Sequence, residues 1–157
     1  MAIPEVANRT QLPTMVGSEF DKQAAQSHSD PFDVPYAQSH YLTLSQMTWT
    51  VGAGGQREFW VIERSPVEMI VSVLVDTSIV AGTVSNVLYL RLPLGKVAAH
   101  RSDTVGFCQD AGVGQAMFVT IGAGSDKIGL AKINLANWTA GGVALSFQLV
   151  VRTVAQR

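Results

Sequence analysis

The sequence predicts an all-β fold, an antiparallel β-sandwich of the jelly-roll type, preceded by an extended N-terminal arm. From residue 41 onward apolar and polar residues alternate with a period of two, as on half-buried strands. Turn residues recur about every 8–12 positions and helical periodicity is almost absent, the pattern of a sandwich or barrel. The stretches between apolar runs are too short for the crossovers a parallel sheet needs. Two regions follow: an anchoring arm over residues 1–40 and a jelly-roll β-domain over residues 41–157.

The arm holds Pro4, Pro13, Pro31 and Pro35, which lack a backbone donor and prevent regular hydrogen bonding over any length. One short helix is expected over residues 18–27, with Ser18 as its cap and Asp21 in its first turn. A polar arm of this kind frays unless something ties it down. Its spaced apolar residues Ile3, Val6, Leu12, Met15, Val16, Phe20, Phe32, Val34 and Tyr36 are therefore expected to anchor it on a partner molecule.

The strands then come in quick succession. Residues 41–50 (YLTLSQMTWT) form the first, closed by the glycine-rich turn 51–55, and residues 58–64 (EFWVIER) the second. Residues 69–76 (MIVSVLVD) are apolar on both faces, which suits a central strand or one covered by a neighbouring subunit. Residues 87–93 (VLYLRLP) place Leu88, Leu90 and Leu92 on one face. Shorter strands are expected at 96–100 and 104–108, on either side of a polar turn at Arg101-Ser102-Asp103. Residues 115–121 (QAMFVTI) follow. In 127–135 (KIGLAKINL) the apolar phase changes between Leu130 and Ile133, which suggests a β-bulge near Ala131. Residues 143–154 close the domain, with Val143, Leu145, Phe147, Leu149 and Val151 on one side.

The composition is 47% hydrophobic and 15% charged, against about 25% charged in ordinary soluble domains. Low charge with many aliphatic residues suits a β-protein whose faces are partly covered by neighbours. The net charge of −1 gives no pull toward nucleic acid or anionic membrane, and neither is expected as a partner. Residues 1–40 carry five acids and two bases, so the arm has the wrong sign to neutralise a packaged genome. Cys108 is the only cysteine, which excludes an intramolecular disulfide and a thiolate zinc site, and its apolar setting predicts a buried side chain. No basic region followed by an apolar run marks a signal peptide, and no apolar stretch is long enough to span a bilayer as a helix. The expectation is a soluble chain made in a cytoplasm.

Catalytic signatures are missing. There is no GxSxG elbow, P-loop, HExxH or closely spaced carboxylate pair, and no enzyme activity, cofactor or metal is expected. His100-Arg101-Ser102-Asp103 holds the residue types of a hydrolase triad, but neighbours on one strand end do not converge, and a solvated loop is the reading. His28, His40 and His100 lack ligand spacing. Trp49, Trp60 and Trp138 suit a core or subunit interface, where tryptophan contributes most. Trp138, set in a loop-like stretch after Asn134 and Asn137, is the one candidate for stacking on a glycan.

Several short patterns resemble a known group. Met47-Thr48-Trp49-Thr50 precedes a glycine turn; Gly82-Thr83-Val84-Ser85, Leu88-Tyr89-Leu90-Arg91-Leu92-Pro93 and Gly95 follow; then come Lys127-Ile128-Gly129-Leu130, Asn137-Trp138-Thr139 and Ser146-Phe147-Gln148. Together they resemble the small jelly-roll domains, similar to the tumour necrosis factor fold, of tailed-bacteriophage virion proteins. The resemblance spans residues 41–154 and implies a virion subunit whose arm anchors it to the particle, often as a homotrimer. Within that group it implies a capsid decoration or cement protein bound to the major capsid protein or other virion subunits. The alternative is a tail-tip or fibre domain that contacts a host glycan. It supplies no catalytic residues.

Overall fold

Among the described residues eleven strands form, most of them where the period-two pattern places them, and every pairing between them is antiparallel. They are seen in a computed structural model that describes residues 30–44 and 46–155. In chain order the strands are β1 (Phe32–Asp33), β2 (Tyr41–Leu42), β3 (Met47–Thr50), β4 (Gln56–Ser65), β5 (Glu68–Val75) and β6 (Ile79–Gly82). The chain continues with β7 (Val87–Arg91), β8 (Ser102–Asp110), β9 (Val113–Ile121), β10 (Lys127–Lys132) and β11 (Gly141–Arg152). Two single-turn 3-10 helices, Gln38–His40 and Pro93–Gly95, complete the described regular structure.

The two expected sheets are hydrogen-bonded into one curled path with the order β1-β4-β5-β11-β8-β9-β10-β7-β2; β3 and β6 pair beside it, β6 against the start of β11. The join between halves is short: β11 meets β8 only where Val143–Ser146 face Phe107–Asp110. Beyond Ser146, β11 continues along β5 while β8 continues along β9. Gly106 marks the divergence. A Cβ there would lie 2.6 Å from the Ser146 carbonyl oxygen and 2.9 Å from Phe147 Cβ, so only glycine lets the two backbones part at that point.

Alternation puts one residue in two inside. Met69, Val71, Val73 and Val75 of β5 share a single core with Val143, Leu145, Phe147, Leu149 and Val151 of β11. Leu88 and Leu90 of β7 and Met117, Val119 and Ile121 of β9 join them from the other half of the path. At about 1.5–3 kcal/mol for each fully buried aliphatic side chain, this shared core is the main source of stability.

Several expected elements are revised. Residues 41–50 break into β2 and β3 rather than running as one strand. The strand expected at 96–100 is absent: Leu94 and Gly95 take positive φ (63° and 64°), the chain turns, and only Ala98 bridges to Thr153. No bulge occurs at Ala131. Ile128, Leu130 and Lys132 keep one inward phase to the end of β10, and Ile133 and Leu135 lie in the turn beyond, with Leu135 at φ 57°. The polar turn expected at 101–103 is partly strand, because β8 begins at Ser102.

The boundary expected at residue 40 also moves, because the last part of the arm belongs to the β-domain. Phe32 and Asp33 pair with Val61 and Trp60 of β4, and the Val34 amide donates to the Phe59 carbonyl at 2.7 Å.

Candidate interaction surface

Of the expected arm anchors, Ile3, Val6, Leu12, Met15, Val16 and Phe20 lie outside the described residues, as does the helix expected at 18–27. Val34 is a correction: it is 6% exposed and packs in the protein's own core, because β1 carries it over Phe59. Tyr36 is half in solvent, yet its hydroxyl donates to the Val51 carbonyl at 2.7 Å. Gln38 accepts from the Val51 amide and donates to the Trp49 carbonyl, and Gln56 donates to the Val34 carbonyl. Residues 34–38 are thus strapped to their own β3 and β4. Phe32 remains exposed at the sheet edge.

Trp138 is the second correction. It is 1% exposed, its Nε1 donates to the Leu130 carbonyl at 3.3 Å, and the Lys132 ammonium lies 6.0 Å from its ring centre. No sugar can stack on it. Trp49 is buried too, with Nε1 donating to Ser78 Oγ at 2.9 Å. Cys108 is buried as expected; burial, followed by the charge of Asp110, pushes its thiol up to about 11.

The triad-like run does not converge. Arg101 pairs with Asp103 in solvent, and Thr120 also donates to Asp103; that hydrogen bond first, then Arg101, holds the carboxyl below its ordinary range. Ser102 alternates to the opposite face of β8 from Asp103. His40 sits edge-on to Phe59 with ring centres 5.6 Å apart, and its Nδ1 is buried without a partner among the described residues. Burial, then the charge of Arg91, holds its imidazole below the usual value. No group of three or more histidine, cysteine or acidic residues suited to a metal occurs among the described residues. None of the described helices is long and apolar enough to cross a membrane.

The sequence reading missed a buried ion pair. Lys132 Nζ lies 2.8 Å from Asp110 Oδ2, and the same carboxylate accepts from the amide and hydroxyl of Thr139. The signal was available: Lys132 continues the inward phase of Ile128 and Leu130, where a lysine needs a partner. The arrangement pins the 133–140 segment across β8 and β10 and keeps Trp138 in the core.

Clefts open among the described residues. One, of about 550 Å³, lies where the loops after β3, β5 and β8 meet the start of β11, and Thr50, Asp76, Thr77 and Gln109 supply its polar side chains. Asp76 is fixed there by Arg57, whose hydrogen bond holds the carboxyl below its usual range. A second cleft, of about 270 Å³, is lined by His40, Arg91, Lys96 and Asp126. A third, of about 420 Å³, is a shallow trough across the outer side of β4, β5 and β11.

The outward side of β8 and β9 has a different character. Val105 is 61% exposed, Phe107 55% and Phe118 41%, at the centre of the sheet rather than at a rim. Val105 faces Phe118 directly across the strands, and Ala131 and Val87 continue the row on β10 and β7. Phe107 faces Ala116 one row along, and its ring tip would lie 2.8 Å from a Cβ at Gly114, so that glycine makes room for the ring. This uncharged aromatic ridge is the most conspicuous exposed apolar feature of the described surface.

No protein-family model matches the chain, and no curated protein matches it in sequence. Among solved structures it is similar to the fibre head protein of bovine atadenovirus type 4, at 12% identity, covering 70% of this chain and 99% of that one, with a TM-score of 0.36.

Proposed function

We propose that this protein is a structural subunit of a virus particle, a capsid decoration or cement protein of a tailed bacteriophage that works by assembly rather than catalysis. Residues 1–29 bind the major capsid protein, the β-domain projects outward, and copies associate with one another. The observation that carries the assembly reading is the ridge of Val105, Phe107 and Phe118, a contiguous apolar surface left open in the middle of the sheet. The short sequence patterns that resemble phage jelly-roll domains support the choice of particle. Val34 and Tyr36 hold residues 34–38 on the domain itself, so attachment to the shell falls to the anchors ahead of Asp30. Removing residues 1–29, and no more, is expected to abolish co-sedimentation with phage particles while the β-domain keeps its strand circular dichroism. Undiminished co-sedimentation of the truncated chain would refute attachment through the arm.

The loop-end cleft favours a second reading, a tail-tip or fibre domain that binds a host glycan. Asp76, Gln109, Thr50 and Thr77 offer the acceptors and donors that sugar hydroxyls use, and Ile79 provides an apolar wall. Glycan-array binding that is lost in Gln109→Ala and retained in Phe118→Glu would favour it over decoration.

A further inference from the structure

We infer that the ridge of Val105, Phe107 and Phe118 is the surface on which a second copy of this chain packs, outer sheet face against outer sheet face. The inference rests on the assembly reading above for the claim that copies associate, and it adds the surface and the occupant.

Charge identifies the occupant first. A two-fold contact sets each surface against itself, so any net charge on it would meet its like. The outward positions of the ridge are Val105, Phe107 and Gln109 on β8, and Gly114, Ala116 and Phe118 on β9, none of them charged; Asp103, the next outward residue of β8, faces Thr120. The nearest charge, Asp103, is held at the rim by Arg101 and Thr120. Residues 1–29, the other apolar segment at hand, carry Glu5, Arg9, Glu19, Asp21 and Lys22, for which this face offers no partner.

Shape points the same way. An extended peptide docks in a groove or on a free strand edge. None of the clefts described above is lined by Val105, Phe107 or Phe118; β8 and β9 pair with each other throughout, β8 also with β11 over Phe107–Asp110 and β9 with β10 over Met117–Thr120, which leaves only short open strand edges. A protruding ridge fits another sheet face, whose side chains can interdigitate with it. With about 200 Å² per aromatic ring, the three side chains leave roughly 300 Å² of apolar surface open per copy. Adding the flanking Gln109, Ala116, Thr120 and Ala131 brings two copies near the ~1,000 Å² that a specific interface needs.

Sedimentation velocity of the full chain tests this. The native protein is expected to sediment at twice its 16.8 kDa chain mass at high micromolar concentration. Phe107→Glu and, separately, Phe118→Glu are expected to reduce it to the single-chain mass with circular dichroism unchanged and a urea midpoint that no longer rises with protein concentration. Val150→Glu, on the outer side of β11 in the other half of the path, is expected to leave the oligomer intact. A native protein that stays monomeric at the highest concentration overturns the inference, and so does an oligomer that survives both substitutions. If the ridge variants become monomeric while truncation at residue 29 leaves particle binding intact, the inference stands and arm-mediated attachment falls.

Discussion

Asp110→Ala removes one member of the buried pair that holds the 133–140 segment. The Lys132 and Asp110 side chains are 7% and 3% exposed, so the ammonium left behind has little access to water. Loss of one partner from a buried pair costs about 3–5 kcal/mol. The amide and hydroxyl of Thr139 lose their acceptor as well, worth about 1–3 kcal/mol, although water admitted to the vacated space offsets part of this. The net expectation is a loss of about 4 kcal/mol, a large fraction of the roughly 5–15 kcal/mol that holds a domain of this kind together. Asp110→Asn keeps an acceptor for Thr139 and loses only the charge, so its loss should be smaller, about 2–3 kcal/mol. Asp110→Ala combined with Lys132→Met should be more stable than Asp110→Ala alone, because the stranded charge is gone. Urea unfolding followed by tryptophan fluorescence measures all four proteins, and Trp138 reports on the site because the Lys132 ammonium lies 6.0 Å from its ring. A loss below about 1 kcal/mol for Asp110→Ala, or a double variant no more stable than Asp110→Ala alone, would refute the reasoning.

Two pH effects follow from the buried titratable groups. His40 has a folded value below its ordinary 6.5, so the stability it contributes is present above 6.5 and lost as pH falls through the lower folded value. The urea midpoint of the native chain should therefore fall more steeply between pH 7 and 5 than that of His40→Phe, and parallel slopes would count against burial of the neutral ring. Cys108 is shifted the other way, from 9.0 to about 11, so its contribution is present below 9 and lost as pH rises through 11. Cys108→Ala should flatten that alkaline fall, and thiol labelling of the native chain at pH 8 should be no faster than unfolding; rapid labelling would place the thiol at the surface.

The sequence by itself determined the class of fold and most of its core. Alternation needs no knowledge of partners, because successive residues on a strand point to opposite faces; Leu88, Leu90 and Leu92, or Val143 through Val151, could be read directly, whereas residues 69–76, apolar on both faces, did not show which side turns inward. Elements too short to alternate escaped it. β1 spans two residues, and only Val80 is buried in β6, so neither leaves a pattern. Tertiary structure alone decided which of two identical-looking apolar faces is covered. Val34 and Trp138 sit among polar neighbours and are buried, whereas Phe107 and Phe118 sit in apolar strands and remain in water. Val34 is covered because β1 pairs with β4, and Trp138 because the Asp110–Lys132 pair holds its segment across β8 and β10; both depend on contacts between residues far apart in the chain that no local pattern encodes.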